Sequence, residues 1–496
     1  VKGKNVSASA YNYMQNKYSA ILSYTGTILI ITSMLFITPL FLLMFYPFES
    51  GQSAGFVLPM AGLAGLGFIL RTITRKRAPV VLNVQEGSII VLLSWIVVCI
   101  FSALPLMINC QLNFTQAIFE SVSGWTTTGL SVVDVTKVSH LVLFWRSIMQ
   151  FAGGAGLVII MLSAIAGPPG PGLSLAEGRT DLLVPHVQQS AKLVMIIYVS
   201  MIFIGTLLYI LAGMSAFDAI NHSIAALSTG GFSTRVESIG YWNSPAIELI
   251  TIILMIIGNI NFLTIYLLIN RNFKAFIRNG EIRLSALLIL VSFIILLFFV
   301  TIPLYDTLSS SLRVAIFEGV SALTTTGYTI TTYSNWNTTG YFVLIILMLI
   351  GGGTCSTAGG LKQYRVYLMY KLLRTEFKRA LLPRSAVITP FIWQGDRKEY
   401  INDNYIRQLI SFVFLFICVY AVGVLILSFY GYRLEDAMFE FASSLSDVGL
   451  SAGITKSDAP AVVLWTETIG MFLGRLEIFV IFTSSVKLFK DLFLKI

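Results

Sequence analysis

The sequence predicts an all-α polytopic membrane protein: four parallel span–half-helix–span repeats around a central axis, preceded by two extra transmembrane helices. Three observations predict it. Of 496 residues, 56% are apolar and only 11% charged, with a mean hydropathy of +0.81. Ten apolar runs are long enough to cross a bilayer, and four shorter runs align with one another without a gap. A soluble domain carries about 25% charged residues, so this chain has too few to cover a water-facing surface. That excludes a soluble enzyme, a disordered chain and a nucleic-acid binder. The net charge of +9 is read as basic loops that orient the spans, not as a polyanion site.

A hydrocarbon core about 30 Å thick needs about 20 apolar residues of helix. Runs of that length lie near 25–47, 54–70, 88–108, 141–166, 193–214, 245–269, 284–304, 341–361, 408–430 and 461–486. The first two form the hairpin of an N-terminal segment, 1–78. Residues 1–23 are polar with Lys2, Lys4 and Lys17, and no cleavable signal peptide is expected there. The shorter runs, 115–125, 217–227, 312–323 and 435–445, would each make about 16 Å of helix. They are read as re-entrant half-helices. The expected units are repeat 1 over 79–166, a linker and repeat 2 over 167–270, and repeat 3 over 271–361. A cytoplasmic basic segment, 362–400, and repeat 4 over 401–496 follow. PPGPG at 168–172 marks the linker, 167–190.

The charges support this count. Residues 71–77, 271–283, 362–398 and the tail with Lys487, Lys490 and Lys495 are basic. They share one face only if ten spans alternate and the four short runs do not cross. Basic loops stay cytoplasmic. The expectation is a multi-pass protein of the cell (inner, cytoplasmic) membrane with both termini inside.

The repeats align on one glycine: AIFESVSGWTTTG from Ala117, AINHSIAALSTGG from Ala219, AIFEGVSALTTTG from Ala315 and AMFEFASSLSDVG from Ala437. Parallel copies fit around an axis along the membrane normal. A half-helix followed by small polar residues and Gly leaves backbone unpaired at membrane depth, which is tolerated only where it is buried or lines a water-filled cavity. Carbonyl oxygens from four such loops can replace the hydration shell of a cation. The negative ends of the half-helices would favour that cation. The candidate filter of a central pore is Thr127, Thr128 and Gly129, then Thr229, Gly230 and Gly231, then Thr325, Thr326 and Gly327, then Asp447, Val448 and Gly449. Thr126, Ser228, Thr324 and Ser446 would form a deeper layer. Glu120, Glu318 and Glu440 are expected to brace the half-helices or sit behind the pore.

These loops, with WRSIMQ at 145–150, GNINF at 258–262, GGGTCSTAGGLK at 351–362 and GMFLGRLEIF at 470–479, resemble the Trk/Ktr/HKT superfamily of potassium transport proteins. The resemblance covers nearly the whole chain, and the two extra spans resemble the Trk-H branch. It implies K⁺ as the transported ion, bound in the filter, with no organic cofactor on this chain. One aligned Gly per repeat, in place of a fuller TVGYG motif, implies moderate K⁺ selectivity. It further implies a homodimer in membrane lipid, one pore per protomer, and a cytoplasmic nucleotide-binding regulator of Trk-A type. Asp447 departs from the family, where a neutral residue such as Asn is usual. As a carboxylate it would tighten cation binding; protonated, or paired behind the filter, it would not.

Residues 350–361 cannot make a firm helix, since each Gly costs about 1 kcal/mol relative to Ala. The resemblance assigns an intramembrane gate to Gly351, Gly352, Gly353, Thr354, Cys355, Ser356, Thr357, Ala358, Gly359 and Gly360. A tight helix crossing through small residues is the alternative. Arg475 falls inside the last span, where a charge is costly. It is read as a positive barrier below the filter, or else as half of an ion pair between helices. Glu477, two residues on, lies on another face. Cys99, Cys110, Cys355 and Cys418 lack metal spacing and are read as packing residues. His140, His186 and His222 are scattered, and no Walker loop occurs, so no enzyme is expected.

The leading function is K⁺ uptake through a gated pore, driven by the membrane potential. A K⁺ symporter coupled to H⁺ or Na⁺ is the alternative, with Glu477 and Asp447 as its candidate titrating acids. A membrane enzyme would need a catalytic cluster at one face, and none is present.

Overall fold

A computed structural model describes residues 2–74, 84–156, 187–383, 391–394, 397–401 and 403–493. The PPGPG linker, His186, Lys495, Arg75, Lys76 and Arg77 of the 71–77 cluster, Arg384 of the 362–398 basic stretch and residues 157–166 of the first repeat lie outside the described residues. All regular structure among the described residues is helical except one antiparallel hairpin, Phe391–Gln394 with Arg397–Tyr400.

The chain opens with α1 (Lys2–Ser33) and α2 (Ala54–Thr74). Between them Met34–Met44 tightens to a 3₁₀ helix around Pro39, whose ring removes a backbone donor. The two helices cross where neither has a side chain. A Cβ on Gly26 would sit 2.6 Å from the Gly67 carbonyl oxygen, and one on Gly67 2.6 Å from that of Gly26. Phe36 and Phe56 lie 4.3 and 6.1 Å from the Trp145 ring and seat the hairpin on the rest of the molecule. Buried Glu49, in the connector, accepts the amides of His140 and Leu141 at 3.0 and 3.1 Å, where a helix N-terminus favours an anion.

Four similar units follow. The first is α3 (Val84–Cys110), α4 (Phe114–Thr126) and α5 (His140–Gly154). The second is α6 (Val187–Leu211), α7 (Ala216–Leu227), α8 (Pro245–Asn259) and α9 (Phe262–Ile269). A short α10 (Phe273–Arg278) leads to α11 (Gly280–Leu296), α12 (Leu308–Leu323), α13 (Thr338–Ile350) and α14 (Gln363–Ala380). The last unit is α15 (Asp403–Phe429), α16 (Leu434–Leu445), α17 (Ala461–Arg475) and α18 (Ile478–Phe493).

The half-helices α4, α7, α12 and α16 match the four short apolar runs. Three start on side-chain caps: Asn113 in a capping box with Gln116, Ser215 and Thr307. Their C-terminal halves are buried, whereas α6, α11 and α15 leave Phe203, Leu290 and Phe414 exposed, as a lipid-facing surface requires.

Three of the ten expected spans are not continuous helices. Six helices among the described residues are long and apolar enough to cross a membrane, or eight if each of two bent pairs counts as one. The expected span 245–269 bends by 108° between α8 and α9, and 461–486 bends by 100° between α17 and α18. The run 341–361 stops being helical at Ile350. Hydropathy averages over these breaks, but the local residues impose them. Asn261 caps α9 by accepting the Leu263 amide at 2.8 Å, and Glu477 takes the left-handed region at φ 58°.

The crossing of α1 and α2 yields a prediction. Gly67→Leu overpacks it, at a cost of about 1–3 kcal/mol, and should lower the melting temperature in detergent. A variant that melts with the parent would show that the hairpin does not depend on this contact.

Candidate functional site: a ring of four glycine loops

All four half-helices end the same way. The residue two before the aligned glycine turns left-handed: Thr127 at φ 60°, Thr229 at 51°, Thr325 at 53° and Asp447 at 54°. The next amide reaches back over the turn. Thr128 bonds the Ser123 carbonyl at 2.9 Å, Gly230 that of Ala225 at 2.8 Å, Thr326 that of Ser321 at 3.1 Å and Val448 that of Ser443 at 2.9 Å. This is the Schellman ending, whose left-handed position ordinarily holds Gly. A β-branched Thr there is an outlier costing about 1–3 kcal/mol, and such strain clusters at functional sites.

The glycines are left-handed too, at φ 96° for Gly129, 72° for Gly231, 77° for Gly327 and 102° for Gly449. They cannot carry a side chain for a second reason. A Cβ on Gly129 would strike the Gly230 carbonyl oxygen, and one on Gly231 that of Thr326. On Gly327 it would strike Val448, and on Gly449 it would strike Thr128. Each obstacle is the residue just before the next unit's glycine, and the fourth contact returns to the first loop. The four loops therefore close a ring with the same joint at each corner. The deeper-layer residues Thr126, Ser228, Thr324 and Ser446 are fully buried beside it.

A repeated set of side chains holds the ring, and sequence reasoning found only part of it. Two residues after each glycine a hydroxyl accepts the amide two further on. The pairs are Ser131 with Val133, Ser233 with Arg235, Thr329 with Thr331 and Ser451 with Gly453, at 2.9–3.2 Å. The same hydroxyls bond the half-helix group nine residues before the glycine. Those partners are Glu120 at 2.9 Å, His222 at 2.9 Å, Glu318 at 2.9 Å and Glu440 at 2.7 Å. Three acids and one histidine thus brace the strands after the glycines. Six residues before the glycine, Ser123, Ser321 and Ser443 bond the loop from inside. Ser123 donates to the Leu130 carbonyl and Ser321 to that of Tyr328, both at 2.6 Å, and Ser443 accepts the Gly449 amide at 3.0 Å. The second unit has Ala225 in that column. Gln150 of α5 substitutes, donating to the Gly230 carbonyl and accepting the Phe232 amide at 3.3 Å. The shared serine column was visible in the alignment; the substitution by Gln150 was not.

The non-helical segment 351–362 lies against this ring. Thr357 Oγ1 bonds the Leu227 and Gly258 carbonyls at 3.0 and 2.9 Å and lies 3.1 Å from Thr229 Oγ1. The Gly359 amide donates to Thr325 Oγ1 at 2.7 Å, and a Cβ on Gly359 would strike the Ser446 carbonyl oxygen. Three of the four loops therefore touch the segment. Its other side rests on the α8–α9 break. The Gly353 amide meets Asn259 O at 3.1 Å, and the Phe262 amide meets the Cys355 carbonyl at 3.4 Å. Thr354 donates to Glu281 at 2.8 Å, and Ser356 to the Gly353 carbonyl at 2.6 Å. Gly351 and Gly352 pack on Gly359 and Ala358 across the segment's neck.

Arg475 ends α17 at its break, not inside a continuous span. Nη1 donates to the Thr357 carbonyl at 2.7 Å and Nη2 to the Gly153 carbonyl. Its guanidinium so joins segment 351–362 to α5. Glu477 pairs with Arg365 of α14 at 2.8 Å, and the Lys362 ammonium caps the Ala358 carbonyl. Asp447 is fully buried and accepts the Thr128 hydroxyl across the ring at 3.1 Å. Among the described residues its Oδ2 has no hydrogen-bond partner.

The two described histidines make local contacts. His140 pairs with Glu49 at 2.8 Å and His222 belongs to the second brace. All four cysteines are unbridged. Among the described residues no three His, Cys, Asp or Glu side chains gather into a metal-sized group. Ser321→Ala would leave the Tyr328 carbonyl without its buried donor, which costs about 1–3 kcal/mol. The protein should melt earlier, with Ser321→Thr closer to the parent; equal melting of Ser321→Ala and parent would remove the serine from the ring's support.

Comparison with known proteins agrees with this architecture. Residues 68–494 match the TrkH model, described as a cation transport protein. The Trk system potassium uptake protein TrkH of Halomonas elongata is 31% identical over 487 residues, covering 94% of this chain and 98% of that protein. TrkG of Escherichia coli, of the same description, is 32% identical over 420 residues, covering 82% and 85%. The crystal structure of the potassium transporter TrkH from Vibrio parahaemolyticus superposes with a TM-score of 0.82 at 28% identity, over 94% of this chain and 98% of that one. The chain belongs to the TrkH family of cation transport proteins.

Proposed function

We propose that the protein takes up K⁺ across the cell membrane through a pore on the axis of the four-loop ring. The observation that carries this is the closed set of glycine contacts. Four joints of one geometry bring the carbonyl groups of Thr128, Gly230, Thr326 and Val448 to a single buried ring. Such carbonyls replace a hydration shell, and the four half-helices that end there favour a cation. The potassium-uptake relatives support K⁺ as that cation. In this reading Thr126–Gly129, Ser228–Gly231, Thr324–Gly327 and Ser446–Gly449 are the filter. K⁺ is cargo, and no organic cofactor takes part.

Segment 351–360 is proposed as the gate and Arg475 as its latch. The support is that Thr357 touches the second loop and Gly359 the third and fourth, while Arg475 ties Thr357 to α5. The segment runs directly into α14, which carries Arg365, Lys371, Arg374, Lys378 and Arg379. A cytoplasmic partner bound to that basic helix could draw the segment away. The relatives' Trk-system names favour a partner from that system; we assign it as a nucleotide-binding regulator of Trk-A type and the protein as a homodimeric, lipid-embedded chain with both termini cytoplasmic.

The test is ⁸⁶Rb⁺ uptake into liposomes with Na⁺ as competitor. Gly129→Ser sets a side chain against the Gly230 carbonyl and should lower K⁺/Na⁺ discrimination by about tenfold, about 1.4 kcal/mol. Arg475→Ala frees the Thr357 carbonyl and should raise basal flux. Flux that requires an imposed H⁺ or Na⁺ gradient, or that is unchanged in both variants, would overturn the reading.

A further inference from the structure

The fourth unit departs from the first behind its loop. At the position where α5 carries Arg146, counted from the helix start, α17 carries Glu467. In the first unit Arg146 Nε donates to the brace acid Glu120 at 2.8 Å. In the fourth, the brace acid Glu440 faces a second carboxyl across one hydroxyl. Thr455 Oγ1 lies 2.6 Å from Glu440 Oε1 and 3.0 Å from Glu467 Oε2, and both acids are fully buried. Among the described residues no Lys, Arg or His pairs with either.

Counting donors points to where the protons are. Glu440 accepts four: the Ser451 hydroxyl at 2.7 Å, the Thr455 amide at 2.9 Å, the Thr455 hydroxyl at 2.6 Å and the Ala452 amide at 2.7 Å. Both its oxygens are used as acceptors, which is the pattern of an ionised carboxylate. A hydroxyl has one proton to give and lone pairs to accept with. Thr455 has spent its proton on Glu440, so it can only accept from Glu467. Two acceptors 3.0 Å apart make no bond, so the missing proton belongs on Glu467 Oε2. Its other oxygen, Oε1, has no hydrogen-bond partner among the described residues.

We propose that Glu467 is a proton-binding site: it holds one proton at neutral pH and donates it to Thr455, which donates in turn to Glu440. The first unit completes its brace with a fixed cation, and the fourth does so with an exchangeable proton. Deprotonation sends H⁺ to water and leaves two anions flanking one hydroxyl, so the brace is present while the proton is held and is lost as pH rises. Among the described residues, the elements packed on α17 bring no compensating cation. Glu120 on α4 is matched by Arg146, and Glu477 at the start of α18 by Arg365. On α15, Tyr420 donates to the Met438 carbonyl. Toward the start of α16 lie Tyr432, Arg433, Glu435, Asp436 and, on the following loop, Asp458; Arg433 pairs with Glu435. The inference holds whichever cation the ring passes.

Infrared spectroscopy of the purified full chain tests it without a transport assay. At neutral pH the parent-minus-Glu467→Gln difference should contain a protonated-carboxyl C=O band that shifts in D₂O and is the same in K⁺ and in Na⁺. In Thr455→Val the band should persist but move to higher frequency, because the acid has lost its acceptor. The parent's melting temperature should fall as pH is raised from 7 to 10 more steeply than that of Glu467→Gln. No carboxylic-acid band in the difference, a band unmoved by Thr455→Val, or a band present only in one alkali cation would each overturn the proposal.

Discussion

Everything in this molecule is subordinate to a steric constraint at four points. Each aligned glycine faces the carbonyl oxygen of the neighbouring loop across a space too small for a methyl group. Loops that meet this closely cannot be positioned by bulky side chains in the ring itself. They must be fixed from behind, by helix ends, hydroxyls and carboxylates. That requirement accounts for the burial of so many polar groups in a chain of such low charge. It also accounts for Thr or Asp at left-handed positions where Gly would be easier. The Thr229 and Thr325 hydroxyls reach segment 351–362, and Asp447 accepts Thr128 across the ring; Gly could make none of these contacts.

The four units share one backbone solution and differ in the chemistry that secures it. The brace nine residues before the glycine is Glu in three units and His in one. The inner prop is Ser in three, with Gln150 reaching over from α5 for the other. Behind the brace stand Arg146 in the first unit, Tyr333 against Glu318 in the third and Glu467 in the fourth. A buried carboxylate without a donor or counter-charge is expensive, so each unit answers the same demand with the residues at hand. The following helices also diverge. Two bend at Asn259–Asn261 and Arg475–Glu477, and one dissolves into 351–362. The freed backbone groups in these breaks bond one another and the ring, as membrane depth demands.

Much of this was legible in the sequence because it is periodic. Four copies of one pattern fixed the half-helices to within a few residues and singled out the glycines. The Gly-rich 351–360 break could be read because Gly is a poor helix former. What stayed hidden was contact between distant parts of the chain. Hydropathy windows cannot see a 108° bend imposed by a few Asn side chains. Nothing near Arg475 in sequence marks the Thr357 and Gly153 carbonyls as its partners. Nothing in the sequence around Glu467 marks it, because its significance lies in Thr455 and Glu440 standing where a cation would be needed.

The most direct test of the ring as an ion-binding element is anomalous diffraction from crystals grown in Rb⁺ or Tl⁺. The account predicts a peak on the axis, equidistant from the carbonyl oxygens of Thr128, Gly230, Thr326 and Val448, that disappears when Na⁺ replaces the heavier ion. Well-ordered crystals with no peak in the ring, or with the ion bound only elsewhere, would contradict it.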